Sequence, residues 1–381
     1  MSSETTEAGD EPEEKSKTEI IQGMKKYTKV KERLEGNFTN LGRTEWVDTT
    51  EISPEGTTYN IVDLFSGAGG LTLGFTQANY QPVFGVEEDP DAADTYERNF
   101  PEATHWQKDI RDLTIDEIKD AVGDKQIHVL CAGFPCPGFS IAGDRDPLDE
   151  RNFLYEEILR IVKELEPWYL AMENVPGLVT MEDGKALNQI QTDFEDIGYP
   201  LSTLVLEAAD YGVAQIRSRA ILIGNRFGLN NPYPKPLLDE EEYLPIGEAI
   251  NDLADKPRDP DINHEWTNHR EDTKERISEV PPGESLYDSY KDAWKRQRKG
   301  VPAMAVKENH GGTHIHHEKN RVISAREMAR LQGFPDDFIF EGRMKRVMFQ
   351  VGNAVPVPLA KNVALGLRPK LEKIENGEIE E

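Results

Sequence analysis

From Tyr59 to Phe227 the apolar residues fall in short runs, each broken by glycine, proline or acid. "YNIVDLF" (59–65) stops at "SGAGG", and "LTLGFTQANY" (71–80) follows with its apolar positions at helical spacing. "QPVFGVEED" (81–89) predicts a second strand and "DAADTYERNF" (91–100) a second helix. "IHVLCAGF" (127–134) predicts a strand, "FLYEEILRIVKEL" (153–165) a helix and "WYLAMENV" (168–175) another strand. Strands that alternate with helices at this spacing imply βαβ units and a parallel sheet. "LSTLVLEAADYG" (201–212) and "SRAILIGNRF" (218–227) have no helix between them and predict an antiparallel pair at the sheet's edge. From about residue 230 to 320 periodicity gives way to prolines, charges and scattered aromatics. Helices return at "SAREMARLQGF" (324–334) and in "NAVPVPLAKNVALGL" (353–367).

The expected architecture is α/β, a Rossmann-like sheet with helices on both faces plus a smaller irregular domain. The expected division is a charged, disordered tail at 1–57 and a catalytic domain at 58–228 completed by 345–369. The smaller irregular domain would occupy 229–344, with a charged tail at 370–381. Within the first tail, residues 1–16 carry six acids against one lysine, whereas 17–36 reverse the balance with six Lys/Arg against three Glu and can form a short helix.

The net charge of −27 changes the picture of partners rather than of fold. So acidic a surface repels nucleic acid at ordinary salt, yet it suits a halophilic protein, because at 1 M salt charges are screened over about 3 Å. Contacts to DNA would then have to be local. No apolar run approaches the roughly 18 residues of a membrane span, and the first residues carry no signal-peptide pattern. The two cysteines lie five positions apart without metal or redox spacing, which fits a reducing cytoplasmic setting.

Candidate chemistry gathers at the ends of the expected strands, where parallel sheets bind ligands. "DLFSGAGGLTLGF" runs strand, glycine-rich turn, helix, without dinucleotide spacing. About twenty residues on, Glu87, Glu88 and Asp89 end the second strand, where a carboxylate meets ribose hydroxyls. Asp109 falls where a third strand would end and can accept from an adenine amino group. In "GFPCPGFS", Cys136 stands between two prolines, which exclude helix and hold the thiol in a rigid irregular loop. Glu173 ends the next strand in "MENV", and "QIRSR" adds Gln215, Arg217 and Arg219. A thiol, an acid and guanidinium groups at one edge suit covalent attack on an electron-poor ring.

With "VEEDPDAADTYERNF", "RVISAREMARLQGFPDDF" and "QVGNAVPVPLA" in the same order, these stretches resemble the DNA (cytosine-5) methyltransferase family over most of residues 59 to 368. The resemblance implies S-adenosyl-L-methionine as methyl donor and no metal. It implies that Phe65, Gly67 and Gly69 line the methionine side, that Glu87 takes the ribose, and that Asp109 and Ile110 meet the adenine. Leu154, Asn353 and Val355 would complete that pocket. Cys136 becomes the nucleophile that attacks carbon 6 of cytosine, on a base flipped out of the duplex. Glu173 would act at ring nitrogen 3 with a carboxyl pKa raised by burial, and Arg219 would hold the ring carbonyl. Arg217 would lie nearer the phosphate backbone. Glu88 stands where family members often place a bulky apolar residue against the adenine.

The implied partner is double-stranded DNA, bound by a monomer, with a restriction endonuclease as a candidate companion in a restriction-modification pair. The alternatives are a transfer-RNA cytosine-5 methyltransferase and a catalytically silent DNA-binding regulator. Intact Cys136, Glu173 and Arg219 disfavour the regulator, since binding alone has no use for them. For target reading, "YKDAWKRQRKG" (290–300) has five Lys/Arg against one Asp and is a candidate phosphate contact. His310, His314, His316 and His317 match no strong zinc pattern.

Overall fold

The computed structural model describes residues 15–25, 43–135, 154–288, 293–307 and 314–379. Its centre is a seven-stranded sheet. In chain order the named strands are β1 (Thr44–Val47), β2 (Tyr59–Leu64), β3 (Tyr80–Glu87), β4 (Thr104–Gln107), β5 (Val129–Ala132), β6 (Tyr169–Asn174), β7 (Ser202–Glu207), β8 (Gln215–Ile216), β9 (Ser218–Asn225) and β10 (Asn231–Pro234). The sheet runs β4-β3-β2-β5-β6-β9-β7, and β9 is antiparallel to both of its neighbours. The pair without an intervening helix therefore forms the antiparallel edge. Strand order reverses between β2 and β5, the switch point where open sheets of this kind hold ligands.

Alternate residues of each central strand enter opposite cores. Val62, Leu130, Leu170, Met172 and Leu222 face one core, while Ile61, Val129, Tyr169, Ala171 and Ile221 face the other. A sheet buried on both faces needs near-continuous apolar strands, as these sequences have. The named helices are α1 (Lys17–Met24), α2 (Gly70–Thr76), α3 (Pro90–Asn99), α4 (Ile115–Val122), α5 (Tyr155–Leu165), α6 (Lys185–Asp196), α7 (Ala325–Leu331), α8 (Met344–Asn353) and α9 (Val357–Glu375). α4, α5 and α6 cover the first face through Ile118, Ile161 and Phe194. α2 and α9 cover the second through Phe75 and Val363. Gly74 makes the α2–α9 approach feasible, since a Cβ there would lie 2.4 Å from Ala360 Cβ. No helix among the described residues is long and apolar enough to cross a membrane.

Both stretches read as charged tails contain ordered elements. Ser16 caps α1 in a capping box with Glu19, and Ile21 on that helix is fully buried. β1 pairs in parallel with β10. At the other end, α9 continues to Glu375 because Leu371 and Ile374 still reach the second core. The short helix expected within 17–36 is α1, whereas charge density hid β1 and the last turns of α9, whose few apolar residues dock on a preformed surface.

Among the described residues between Ile246 and Arg343 the helices are short and the ladders two residues long, and buried arginines tie the loops together. Arg326 has no exposed surface and donates to the carbonyls of Ile262, Pro335 and Phe338. Burial lowers its pKa to about 10. Arg296 donates to the carbonyls of Ile277, Val280 and His316. Arg321 pairs in two-pronged fashion with buried Glu327, at 2.7 Å on each oxygen.

Candidate active site

The end of β2 turns sharply, with Phe65 and Gly67 both left-handed, at φ 58° and 53°. That turn leaves the Gly67 N–H free to meet Glu87, whose Oε2 accepts it at 2.9 Å. The other oxygen of Glu87 accepts from the Asp89 N–H at 2.9 Å. Burial raises the Glu87 pKa despite these two bonds. Phe65, Gly67 and Glu87 line a cavity of about 610 Å³ at the switch point. Asp109, Ile110, Leu154, Asn353 and Val355 line it as well. Gly69 does not: a Cβ there would sit 2.4 Å from the Phe100 ring, so its missing side chain serves packing.

Glu173, Arg217 and Arg219 line the same cavity. The Glu173 carboxyl is buried and its pKa is raised by desolvation, opposed by Arg219 and then Arg217. Arg219 Nε lies 2.6 Å from Glu173 Oε1 but out of line for a hydrogen bond, so the contact is one of charge. Cys136 lies outside the described residues. Gly133, Phe134 and Pro135, which lead directly to it, line the cavity, so the chain enters the undescribed segment from the cavity wall. Asn174, unremarked in the sequence, ties the two strand ends together by donating to the Phe134 carbonyl at 3.1 Å.

Besides Gly69, two residues differ from expectation. Arg217 was placed toward the phosphate backbone, but it is buried and its guanidinium donates to Val306 O and Gly352 O at 2.6 Å each. It thereby pins the closing segment that brings Asn353 and Val355 to the cavity, assisted by Gln332, which donates to Val351 O and Ala354 O. Asp109 already accepts from Arg111, at 2.6 Å, and that guanidinium lowers its pKa. In the described part of the basic stretch, 293–300, Arg296 is buried, whereas Lys299 is exposed and pairs with Glu318. His310 lies outside the described residues, while His314 meets the Met304 carbonyl, His317 meets Asn251, and His316 accepts from the Glu318 N–H.

Asp63 was also missed. It lines the cavity, is 1% exposed, and accepts from Thr72 Oγ1 at 2.6 Å with one oxygen while Oδ1 has no partner among the described residues. Burial raises its pKa to about 7. An acid inside a strand of apolar residues was the available signal.

The arrangement thus joins an acidic chamber, bounded by Asp63, Glu87, Glu88, Asp89 and Asp109, to a buried acid–arginine pair beside the wall that leads to Cys136. A cation-bearing ligand with hydroxyls suits the first part, and a polar ring suits the second. Residues 59–367 match the family model for C-5 cytosine-specific DNA methylase. The chain is 38% identical over 318 residues to the Type II methyltransferase M1.HphI of Haemophilus parahaemolyticus, covering 80% of this chain and 85% of that protein. It is 31% identical over 364 residues to the Type II methyltransferase M.DdeI of Desulfomicrobium norvegicum, covering 80% and 87%. Among solved structures, an Escherichia coli prophage protein assigned as a DNA modification methyltransferase superposes with a TM-score of 0.70 at 28% identity, covering 82% of this chain and 99% of that one.

Proposed function

Because this chain belongs to the C-5 cytosine-specific DNA methylase family, we propose that its cavity holds S-adenosylmethionine and a flipped cytosine side by side. The protein is a cytosine-5 DNA methyltransferase; the roles of its residues are the proposal. The observation that carries it is the single cavity lined at one end by Phe65, Gly67 and Glu87 and at the other by Glu173 and Arg219. Its volume suits a ligand of this size. Its acidic chamber fits a sulfonium and ammonium group, and the Glu87 carboxylate fits ribose hydroxyls. Bound there, S-adenosylmethionine supplies an electrophilic methyl group.

The protein's own work is on the base. The Cys136 thiolate adds to carbon 6 of the ring, and carbon 5 becomes electron-rich. Glu173, whose carboxyl pKa is raised by desolvation, donates to ring nitrogen 3 and neutralises the charge that addition builds there. Arg219 holds the ring carbonyl and, as a neighbouring cation, opposes full protonation of Glu173. Arg217 acts as a positioning residue that fixes the Asn353–Val355 segment. Once carbon 5 has taken the methyl group, its former carrier is left as the thioether S-adenosylhomocysteine. Loss of the carbon-5 proton to a solvent base, expulsion of the Cys136 thiolate and return of the nitrogen-3 proton to Glu173 then restore the ring. Residues 229–344 would read the target. Likeness to Type II methyltransferases supports a modification role beside a restriction endonuclease.

The test is transfer of labelled methyl to duplex DNA and separately to transfer RNA, at low and molar salt. Label on DNA cytosine, reduced by about 10⁴-fold or more in Cys136→Ala, is the expected result. Label confined to transfer RNA would overturn the substrate. Undiminished transfer by Cys136→Ala would overturn the mechanism.

A further inference from the structure

The helix α1 lies outside the family match, which begins at residue 59, yet it packs against the segment that presents both arginines. Ile21 is fully buried in a small cluster with Ala209, Ile216 and Tyr243, and Ile216 directly precedes Arg217. Lys17 Nζ donates to the carbonyls of Glu241 at 2.8 Å and Tyr243 at 3.2 Å. Lys25 Nζ donates to Glu240 Oε1 at 2.7 Å and to the Tyr243 hydroxyl at 3.0 Å. The Tyr243 hydroxyl in turn donates to Asp210.

Asp210 belongs to the short turn that follows Glu207, and Glu207 holds the arginine segment directly. Its Oε1 accepts the Arg217 N–H at 2.5 Å and its Oε2 accepts the Ser218 hydroxyl at 2.8 Å. The Ala208 N–H closes the same loop on the Arg217 carbonyl at 3.0 Å. Glu207, Asp210 and Glu240 form an acidic group on one side of this loop, and Lys25 from α1 brings positive charge to it.

We propose that α1 is a positioning element for the reaction: it clamps the Glu207–Ser218 loop and so holds the backbone that presents Arg219 at the base end of the cavity, while the Arg217 side chain keeps its own anchors on Val306 and Gly352. This rests on the roles assigned above to Arg219 and Glu173. A clamp matters here because Arg219 meets Glu173 through charge without a linear hydrogen bond, so backbone placement decides where its guanidinium sits. α1 is therefore part of the catalytic unit, although it contributes no group to the cavity.

The test uses the full chain with Ile21→Asp, Lys25→Met and Lys25→Arg. Methyl transfer to duplex DNA is measured beside calorimetric binding of S-adenosylhomocysteine, which reports the donor end alone. Ile21→Asp is expected to lower kcat about 10- to 100-fold, the scale of a misplacement near 1 Å, with S-adenosylhomocysteine affinity unchanged. Lys25→Met is expected to lower it less, and Lys25→Arg to restore it. Unchanged kcat in Ile21→Asp, or parallel loss of turnover and S-adenosylhomocysteine binding, would overturn the clamp. Should Ile21→Asp not fold, the contrast between Lys25→Met and Lys25→Arg decides: equal turnover overturns it. Arg219→Ala is run alongside. Full transfer by that variant would bring down the reading of the base end and the clamp with it, whereas loss there with active α1 variants would bring down the clamp alone.

Discussion

The sheet and the segment from Ile246 to Arg343 are built on opposite plans. In the sheet, apolar residues on both faces hold the frame, and polar groups appear where strands end. Glu87, Glu173 and Arg219 stand at or beside such ends and face the cavity. In the segment, guanidinium groups do the work of a ladder, with Arg296 and Arg326 bonded to carbonyls of distant loops. A buried carbonyl without a partner costs as much as a lost core contact, so such arginines are as structural as leucines. The lesson concerns reading charge: Glu87, Glu173 and Arg219, at or beside strand ends, face the cavity, while buried Arg296 and Arg326, in the irregular segment, are committed to the fold.

Glu173→Gln presses hardest on that distinction. It should lower kcat by about 10² to 10⁴, the usual worth of a positioned acid, with folding intact. A steady-state assay beside a melting curve checks this, and a fall in stability with turnover kept would reverse the assignment. Next in size, Arg326→Met should destabilise the protein by about 4 kcal/mol in urea titrations, because the carbonyls of Ile262, Pro335 and Phe338 lose their donor inside the protein. Arg326→Lys should recover little of that, since a single ammonium cannot reach a fork's partners. In the sheet, Leu222→Ala should cost about 3 kcal/mol through its cavity. A much larger loss there than in Arg326→Met would break the equivalence between arginine staples and apolar core.

The smallest effect is one of pH. Asp63 has its pKa raised from 3.8 to about 7, so the folded form keeps a proton that the unfolded chain releases. Its contribution is complete below pH 3.8, declines as pH rises toward 7, and is flat above that. Asp63→Asn should remove this decline, making the variant more stable than the parent at pH 8 and about equal to it at pH 4. Urea titrations at the two pH values measure it, and parallel curves would show that the buried acid is already solvated by groups its neighbours provide.

Much of the sheet was legible because its signals are local. A run such as "IHVLCAGF" declares a strand, and the glycines or proline after it declare where the strand must stop. The ends of consecutive parallel strands then fall on one edge without further information, which is why Glu87 and Glu173 could be assigned together. Gly69 misled because a glycine motif marks close approach without saying what approaches; here it is Phe100. At the start of the chain the spacing in 17–36 declared a short helix but not where Ile21 docks, and at the other end the charge of 370–381 hid that Leu371 and Ile374 carry α9 onward along the core.

What the sequence determined by itself, then, was the order of elements and the edge that carries the chemistry, since both follow from spacing along the backbone. The tertiary structure alone decided what each charged side chain meets. Arg217 and Arg219 are two residues apart, yet one turns to Val306 and Gly352, at 89 and 135 positions along the chain, and the other to Glu173. A guanidinium is satisfied by whichever buried oxygen the fold brings within about 3 Å, and that choice is made by packing at long range.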